Sequence, residues 1–551
     1  MPDLNRWEWG FISLAIIARS VRYFLCFPLW EDECFLGVNI FNCGFRELLQ
    51  PPVYHQVTPF LFLWLEKATV ILLGFNELAL RLPAFIVSMA SLVLFVHLAR
   101  RLLSGNARIF AIALFAVSYP CIRYAAEVKQ YGTDMFASLV LIVLVVEWLR
   151  RPGEAKSLVA LILWCPLAIC LSLPAIFTTV ALSVLLAGVM IRHPESRRWE
   201  WWVAFNLVIL AGAYISYYFS IGPQKQAEYG FMGDYWVDSF MPLTSVFAVL
   251  KWLVVAHTGN LFAHPVGEKN FGSILTTILL AVGIVYLFKR RRSKVAWLLL
   301  LPLVVHLTAA VLQKYPYGGH VKFSMYIAPM IYLVMGVGCA VLTGIRNNQQ
   351  TAAQRARILT VILVLVGGIG VVSMARDIRY PYKATSDMRQ RAIAEWLWHD
   401  GNFEDRILCI KDDLKLSFSD ATWKDLSWSA MYLCNKYIYQ PRKMVREPRP
   451  AFIPPPSRRY IRYVLYRDPR KNDFNQEAFD RWLGSMKQGH EYAGMDRISL
   501  PRYDKHDRYL ITIDYLEIYK FVLPDNMDTT GDSKPKKASD GSQDSSEVQI
   551  Q

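Results

Sequence analysis

The sequence predicts a polytopic α-helical membrane protein that carries a small α/β domain at its carboxyl end. Of 551 residues, 54% are apolar, 14% aromatic and only 19% charged, and the mean hydropathy is +0.25. A soluble domain does not average this high, so long apolar runs must carry the excess, and runs of roughly 18 to 22 residues recur through the first two thirds of the chain. After Met374 the pattern becomes mixed polar and apolar. Nine cysteines in this length rule out a disulfide-stapled mini-scaffold, and the absence of a Cys-x-x-Cys pair or a Cys/His cluster argues against a structural zinc. The net charge of +15 would point to nucleic acid in a soluble protein. In a membrane protein it is first a statement about topology.

About eleven spans are predicted: Trp9 to Phe27, Pro83 to Leu103, Ile109 to Pro120, Thr133 to Leu149, Leu158 to Leu173, Pro174 to Ile191, Trp201 to Ser220, Ser273 to Phe288, Val295 to Leu312, Ser324 to Leu342 and Ile358 to Met374. Short loops on one side concentrate the positive charge: Arg100, Arg101 and Arg108; Arg150, Arg151 and Lys156; Arg192, Arg197 and Arg198; Lys289 to Arg292 with Lys294; Arg346, Arg355 and Arg357. The opposite connections are much longer and hold fewer cations, so the basic side is cytoplasmic and the amino terminus lies inside. The same bias decides Pro59 to Leu73, an apolar stretch interrupted by Glu66 and Lys67. Were it a span, every later loop would change sides, so it reads as an interfacial helix on the outer surface, with Ser245 to Ala256 as a second. The first span has no small-residue cleavage site and contains Arg19 and Arg22, which marks it as a retained helix.

The organisation expected is a transmembrane domain over 1–375 with a long first outer loop at 28–82, an extracytoplasmic α/β domain at 376–523, and a disordered Asp-, Ser-, Lys- and Gly-rich tail at 524–551. Strand-like runs fall at Arg406 to Ile410, Ile461 to Tyr466 and Tyr509 to Ile513, with helical patterns at Ser386 to Trp398 and Gln476 to Met486.

Three clusters on the outer side carry chemistry-bearing residues. The first outer loop opens on Trp30-Glu-Asp-Glu33, consecutive carboxylates directly outside a span, and continues through Gln50-Pro-Pro-Val-Tyr-His-Gln-Val-Thr-Pro59, where His55 and Gln56 offer hydrogen bonds. Interfacial charges capping the next helix are the plainer reading of the carboxylates. The second cluster, after the short third span, is Arg123-Tyr-Ala-Ala-Glu-Val-Lys-Gln-Tyr131; a continuous helix would align Arg123, Glu127 and Tyr131, although a simple Arg–Glu helix pair explains it as well. In the third, Lys314-Tyr-Pro-Tyr-Gly-Gly-His-Val-Lys322, His320 and Lys322 could hold a phosphate or merely reach for water. A base together with cations at a lipid–water boundary is what group transfer from an anionic lipid carrier requires.

These residues resemble the GT-C glycosyltransferases that use polyprenyl-phosphate-linked sugars, the superfamily of the protein O-mannosyltransferases and of the transferase that adds aminoarabinose to lipid A. The resemblance covers Trp9 to Met374. The family's intramembrane Arg followed by Trp-x-Asp-Glu is similar to Arg22 and Trp30-Glu-Asp-Glu33; its Pro-Pro stretch before an apolar interfacial helix to Pro51-Pro52 through Trp64; its Arg-x-Pro to Arg81-Leu-Pro83; and its Tyr-Ala-x-Glu-x-Arg-x-Tyr to Tyr124 through Tyr131, with Lys129 in place of Arg. A late Arg-Tyr before a proline looks like Lys322-Phe323 with Pro329. Lys for Arg keeps the charge and loses the bidentate fork.

The resemblance implies that Asp32 is the catalytic carboxylate, with Glu33 the alternative, taking the acceptor proton in an inverting displacement. It implies that Glu127 orients substrate or shares a divalent cation, Mg or Mn, with Asp32, no cofactor being otherwise called for. Arg81, Arg123, Lys129 and Lys322 are the implied phosphate clamps, with Arg22, His55, Gln56, Tyr131 and His320 binding donor or acceptor. The expected partners are the lipid-linked donor, the bilayer of a bacterial inner membrane, and a glycan, lipid or protein acceptor. Cys34 with Cys43, or Cys409 with Cys434, could pair outside the cytoplasm. A transporter or flippase of a lipid-linked or anionic substrate is the rival, and a non-catalytic scaffold a third reading. Transporters carry polar residues near the midplane of two repeats, whereas here they gather at one face.

Overall fold

Each segment predicted to span falls on helical chain, although Ile109 to Pro120 breaks between two helices and Ser324 to Leu342 opens as a 3₁₀ turn. The structure is a computed structural model that describes residues 4–52, 56–152, 154–193, 197–227, 236–267, 269, 271–344, 351–379, 406–410, 434, 438, 460–467, 476–501 and 513–522. In chain order the helices are α1 (Arg6–Phe24), α2 (Glu31–Asn42), α3 (Phe60–Leu73), α4 (Glu77–Leu102), α5 (Gly105–Ala116), α6 (Tyr119–Arg123), α7 (Tyr131–Arg150), α8 (Lys156–Leu171), α9 (Ala175–Arg192), α10 (Trp199–Ser216), α11 (Gly222–Ala227), α12 (Val246–Thr258), α13 (Ile274–Lys289), α14 (Ser293–Val311), α15 (Ala328–Thr343) and α16 (Ala352–Arg379). Among the described residues seven helices are long and apolar enough to cross a membrane, or eight if α5 and α6 form one bent span. The two helices read as interfacial, α3 and α12, have 14 and 13 residues. At 1.5 Å per residue each is only about 20 Å long, short of a ~30 Å hydrocarbon layer.

Local chemistry explains the breaks. The axis bends by 50° between α5 and α6, where Pro120 lacks an amide hydrogen and the Ser118 hydroxyl accepts the Cys121 amide at 3.3 Å. The bend carries Arg123 away from the line of α5. Arg19, buried in α1, is satisfied where it lies: it donates to the Ala15 carbonyl at 3.1 Å and to Ser88 Oγ at 3.2 Å, and stands 5.1 Å over the Phe115 ring. This is a structural use of an intramembrane arginine rather than a functional one.

One apolar core runs through α1, α4, α5, α7–α9 and α13–α15, and a smaller one joins α2, α3, Leu80 and Val128. Helix α15 packs closely on α5 and α13 because glycines remove the intervening Cβ. A Cβ on Gly336 would run into Ala107 and Ala111, and one on Gly338 into the backbone of Leu279. Cys34, Cys43 and Cys434 are free thiols, which corrects the first proposed disulfide. Cys34 sits in the first turn of α2 and Cys43 is its C-cap, so helix rise alone separates them by about 13 Å, beyond the ~7 Å that a disulfide tolerates. The side chain of Cys409 lies outside the described residues, as do His55, Ser386 to Trp398 and the 524–551 tail.

The chain divides into two compact units; the second takes Gly401–Asp425, Pro448–Arg502 and Leu510–Gln551. Its described part is a sheet in the order β1 (Arg406–Ile410), β2 (Tyr460–Arg467), β4 (Ile513–Val522) and β3 (Tyr492–Pro501), with β1 parallel to β2 and the other pairs antiparallel. Helix α17 (Gln476–Gly489) covers it: Phe479 and Trp482, one turn apart, meet Tyr519 and Phe521, alternate residues of β4. Most of the predicted Tyr509 to Ile513 run lies outside the described residues, where β4 begins at Ile513, and β3 was not foreseen.

Gly338→Val should lower the apparent melting temperature of the detergent-solubilised protein, by an amount equivalent to about 1–3 kcal/mol, because the new side chain meets backbone that cannot move aside. Gly10→Ala, with nothing within 4 Å of the added carbon, should leave it unchanged.

Candidate active site

The first outer loop is held by one buried ion pair. Glu33, in the first turn of α2, accepts four hydrogen bonds: Arg81 Nε at 2.9 Å and the Val128 amide at 2.9 Å on Oε1, Arg81 Nη2 at 2.6 Å and the Trp30 amide at 3.1 Å on Oε2. Arg81, near the start of α4, spends its remaining donors on the Phe27 and Pro28 carbonyls. Both side chains are buried. Glu33 and Arg81 are thus committed to each other, and the contacts that would make them base and phosphate clamp are already filled.

Asp32, the neighbouring residue, is free of this clamp. Its side chain keeps 26% of its exposure and its Oδ2 lies 3.6 Å from Lys129 Nζ, which donates to Gln56 Oε1 at 2.6 Å. Because the amide of Val128 binds Glu33, the segment that carries Glu127 and Lys129 is placed against the start of α2. The expected continuous helix from Arg123 to Tyr131 does not form: α6 ends in a 3₁₀ turn, Glu127 is extended, and Tyr131 opens α7. The Arg123–Glu127 pair forms nonetheless, with Nε to Oε1 at 2.7 Å, and the Arg123 guanidinium stands 5.8 Å from the Trp30 ring.

The third cluster arrives from the loop before α15. Lys322 Nζ sits 4.4 Å from the Trp236 ring and 5.9 Å from that of Tyr131, and its electrostatic neighbours are Asp32, Lys129, Arg123 and Glu127. His320 accepts the Lys322 amide on Nδ1 at 3.2 Å, which leaves Nε2 as the protonated nitrogen. Burial, reinforced by Lys322 and Arg123, pushes its pKa down to about 3, so it is a neutral donor and no cationic clamp. The structure therefore brings together Asp32, Glu127, Arg123, Lys129, Gln56, Tyr131, His320 and Lys322. Arg22 packs 4.6 Å from the Phe27 ring at the entrance to the loop. The sequence reading missed Trp236, whose long separation from Lys322 along the chain gave no signal. The latch at the far end of the loop was missed too: Thr58 and Gln224 exchange backbone and amide hydrogen bonds at 3.0 and 2.8 Å, and the Phe60 amide donates to Ser220 Oγ at 3.0 Å.

The donor set tests poorly for a divalent ion shared by Asp32 and Glu127. Each carboxylate already faces a cation, and among the described residues no three His, Cys, Asp or Glu side chains converge as ligands.

No protein-family model matches the sequence and no curated protein matches it. Solved structures do. ArnT from Cupriavidus metallidurans in the apo state aligns with a TM-score of 0.50 at 11% identity over 93% of this chain and 97% of its own; bound to undecaprenyl phosphate, it aligns with 0.50 at 12%, over 93% and 98%. The chain shares the fold of ArnT. The oligosaccharyltransferase of Archaeoglobus fulgidus aligns with 0.48 at 11% over 78% of this chain, which spans only 64% of that longer chain. The polytopic, GT-C-like fold expected from the resemblance thus agrees with the fold of the chain.

Two outcomes follow. Arg81→Ala leaves Glu33 buried without its partner and should destabilise the protein by about 3–5 kcal/mol, read as a fall in melting temperature in detergent. The second concerns Glu66 on α3, which is buried with neither oxygen hydrogen-bonded. Burial, then the charge of Glu33, raises its pKa well above the ordinary 4.5. It is protonated in the folded chain and ionises on unfolding, so its contribution is present below pH ~4.5 and is lost as pH rises from there. Glu66→Gln should therefore melt at a higher temperature than wild type at pH 8, and the difference should shrink as pH approaches 4.5.

Proposed function

We propose that this chain is an integral-membrane glycosyltransferase that moves a sugar from a polyprenyl-phosphate donor to a hydroxyl on an extracytoplasmic acceptor. The observation that carries the reading is the contrast among three carboxylates. Glu33 is saturated by Arg81 and two amides, Glu127 is buried on Arg123, and Asp32 alone of the three is partly open, facing Lys129 across 3.6 Å. The GT-C fold, and the undecaprenyl phosphate bound by ArnT in one of the aligned structures, support the class of donor. The density of cations on the opposite loops supports placing the site outside the cytoplasm.

The reaction is a single displacement. The acceptor oxygen forms its bond to the anomeric carbon as the bond from that carbon to the phosphate oxygen breaks, and the acceptor proton passes to a carboxylate oxygen of Asp32. The polyprenyl phosphate leaves carrying the electron pair. Lys129, Lys322 and Arg123 stand where this growing negative charge needs neutralising, in a buried setting where each is worth more than in water. Glu127 holds Arg123 in place, and neutral His320 offers Nε2–H to a phosphate or sugar oxygen without adding charge to a cation-rich cluster. Inversion follows from the single displacement.

Membranes holding the wild type should convert radiolabelled polyprenyl-phosphate sugar, tried as a panel of monosaccharides, to free polyprenyl phosphate. Asp32→Asn at equal abundance should be slower by about 10²- to 10⁴-fold. Lys322→Gln should act chiefly by lowering kcat, with a smaller rise in KM for the lipid donor. Turnover that survives Asp32→Asn would remove the assignment of the base.

A further inference from the structure

The inner face of α7 carries a polar stripe that the displacement does not use. Gln130, Asp134 and Ser138 are spaced four apart, so they align on one side of the helix. At its lower end Ser138 Oγ meets Thr178 Oγ1 of α9 at 3.1 Å. Higher up the pairing fails. Asp134 is 3% exposed, yet its Oδ1 has no hydrogen-bond partner, nor has Gln130 Oε1, whose amide nitrogen is fixed on the Val57 carbonyl; the Ser172 hydroxyl, where α8 ends, interacts with the same Asp134 carboxyl. Buried acceptors of this kind are normally satisfied, and leaving them unsatisfied is costly.

Aromatic rings surround them, half-buried except for the buried Tyr326. The phenols of Tyr131, Tyr315 and Tyr326 are electrostatic neighbours of Asp134, and Tyr315 meets Phe177 at 5.1 Å and Phe323 at 6.0 Å between ring centres. Tyr131 joins this cluster to the cations, since it lies near Asp32 and 5.9 Å from Lys322. Asp134 is one turn further along α7, a rise of about 4.5 Å, which is the width of a pyranose ring.

We propose that Asp134, Gln130 and Ser172 form the subsite for the sugar of the lipid-linked donor, walled by Tyr131 and Tyr315. The proposal rests on the glycosyltransferase reading. Ring hydroxyls donate to Asp134 Oδ1 and Gln130 Oε1 and accept from Ser172, the C–H faces of the ring lie on the aromatic walls, and the phosphate stays among Lys129, Arg123 and Lys322. A stripe of acceptors inside a membrane helix thereby selects a hydroxylated ring over the bare lipid.

Binding of undecaprenyl phosphate, alone and as a panel of its monosaccharide esters, would be measured on the full-length protein in detergent, for wild type, Asp134→Asn and Ser172→Ala. Wild type should bind at least one ester about tenfold more tightly than undecaprenyl phosphate alone. Both variants should lose most of that increment while binding the bare lipid within about twofold of wild type. An increment that survives both substitutions, an equal loss for ester and bare lipid, or a defect confined to acceptor use would each overturn the subsite. A wild type that binds bare lipid and no ester more tightly would overturn it while leaving the donor reading intact; a wild type that binds no polyprenyl phosphate would instead remove the glycosyltransferase reading itself.

Discussion

The arrangement of the candidate site depends on the Glu33–Arg81 pair. An ion pair taken out of water gains little net stability, because desolvation consumes most of the attraction unless further hydrogen bonds satisfy what remains. Here they do: Glu33 also takes the Trp30 and Val128 amides, and Arg81 the Phe27 and Pro28 carbonyls. One point therefore fixes the end of the α1 connection, the start of α2, the start of α4 and the segment before α7. Such a node specifies geometry more than it stabilises, and geometry is what Asp32 needs. With its neighbour immobilised, Asp32 emerges from the first turn of α2 towards Lys129.

The remaining loops attach to this node by contacts that are individually modest. Lys129 is tethered to Gln56, Gln130 to the Val57 carbonyl, and Thr58 to Gln224. Each joins residues far apart in sequence, so the long first outer loop is stitched to the rest of the site along its length. Its two ends are held differently: the α2 end by buried charge, the α3 end by neutral hydrogen bonds near Ser220 and Gln224. The neutral end is the one that a bulky lipid substrate could displace at lower cost.

The fold was legible because membrane helices announce themselves by composition. The two helices read as interfacial, α3 and α12, are both short, as are α5, α8 and α13. The site was legible in part. Asp32, Glu127, Lys129 and Lys322 stood out as charges beside apolar runs, but Glu33 and Asp32 are adjacent acids, and nothing in the sequence says which is saturated by an arginine 48 positions away. The helix expected to run from Arg123 to Tyr131 breaks because Glu127 takes an extended backbone, a consequence of the Val128 amide binding Glu33. Asp134 and Gln130 were visible but had no role, since an acceptor without a partner is a property of packing. Strand β3 was missed because Tyr492 to Pro501 mixes Gly494, Asp496 and Arg497 with its apolar residues and has no clean alternation.

The charge pattern has a direction that bears on catalysis. Around Asp32 and Glu127 stand Arg123, Lys129 and Lys322, an excess of positive charge in a buried place, with Arg123 on the face of Trp30 and Lys322 near those of Trp236 and Tyr131. A protonated histidine would add repulsion, and burial with these same cations keeps His320 neutral. Such a cluster is least comfortable empty, better with a phosphodiester carrying one negative charge, and best when bond cleavage gives the departing phosphate a second. Interactions that strengthen as charge develops lower the barrier, whereas those equal in substrate and transition state do not. On the proposed reading, a neutral imidazole leaves the site's positive charge to Arg123, Lys129 and Lys322, which a departing phosphate would meet without added repulsion from His320.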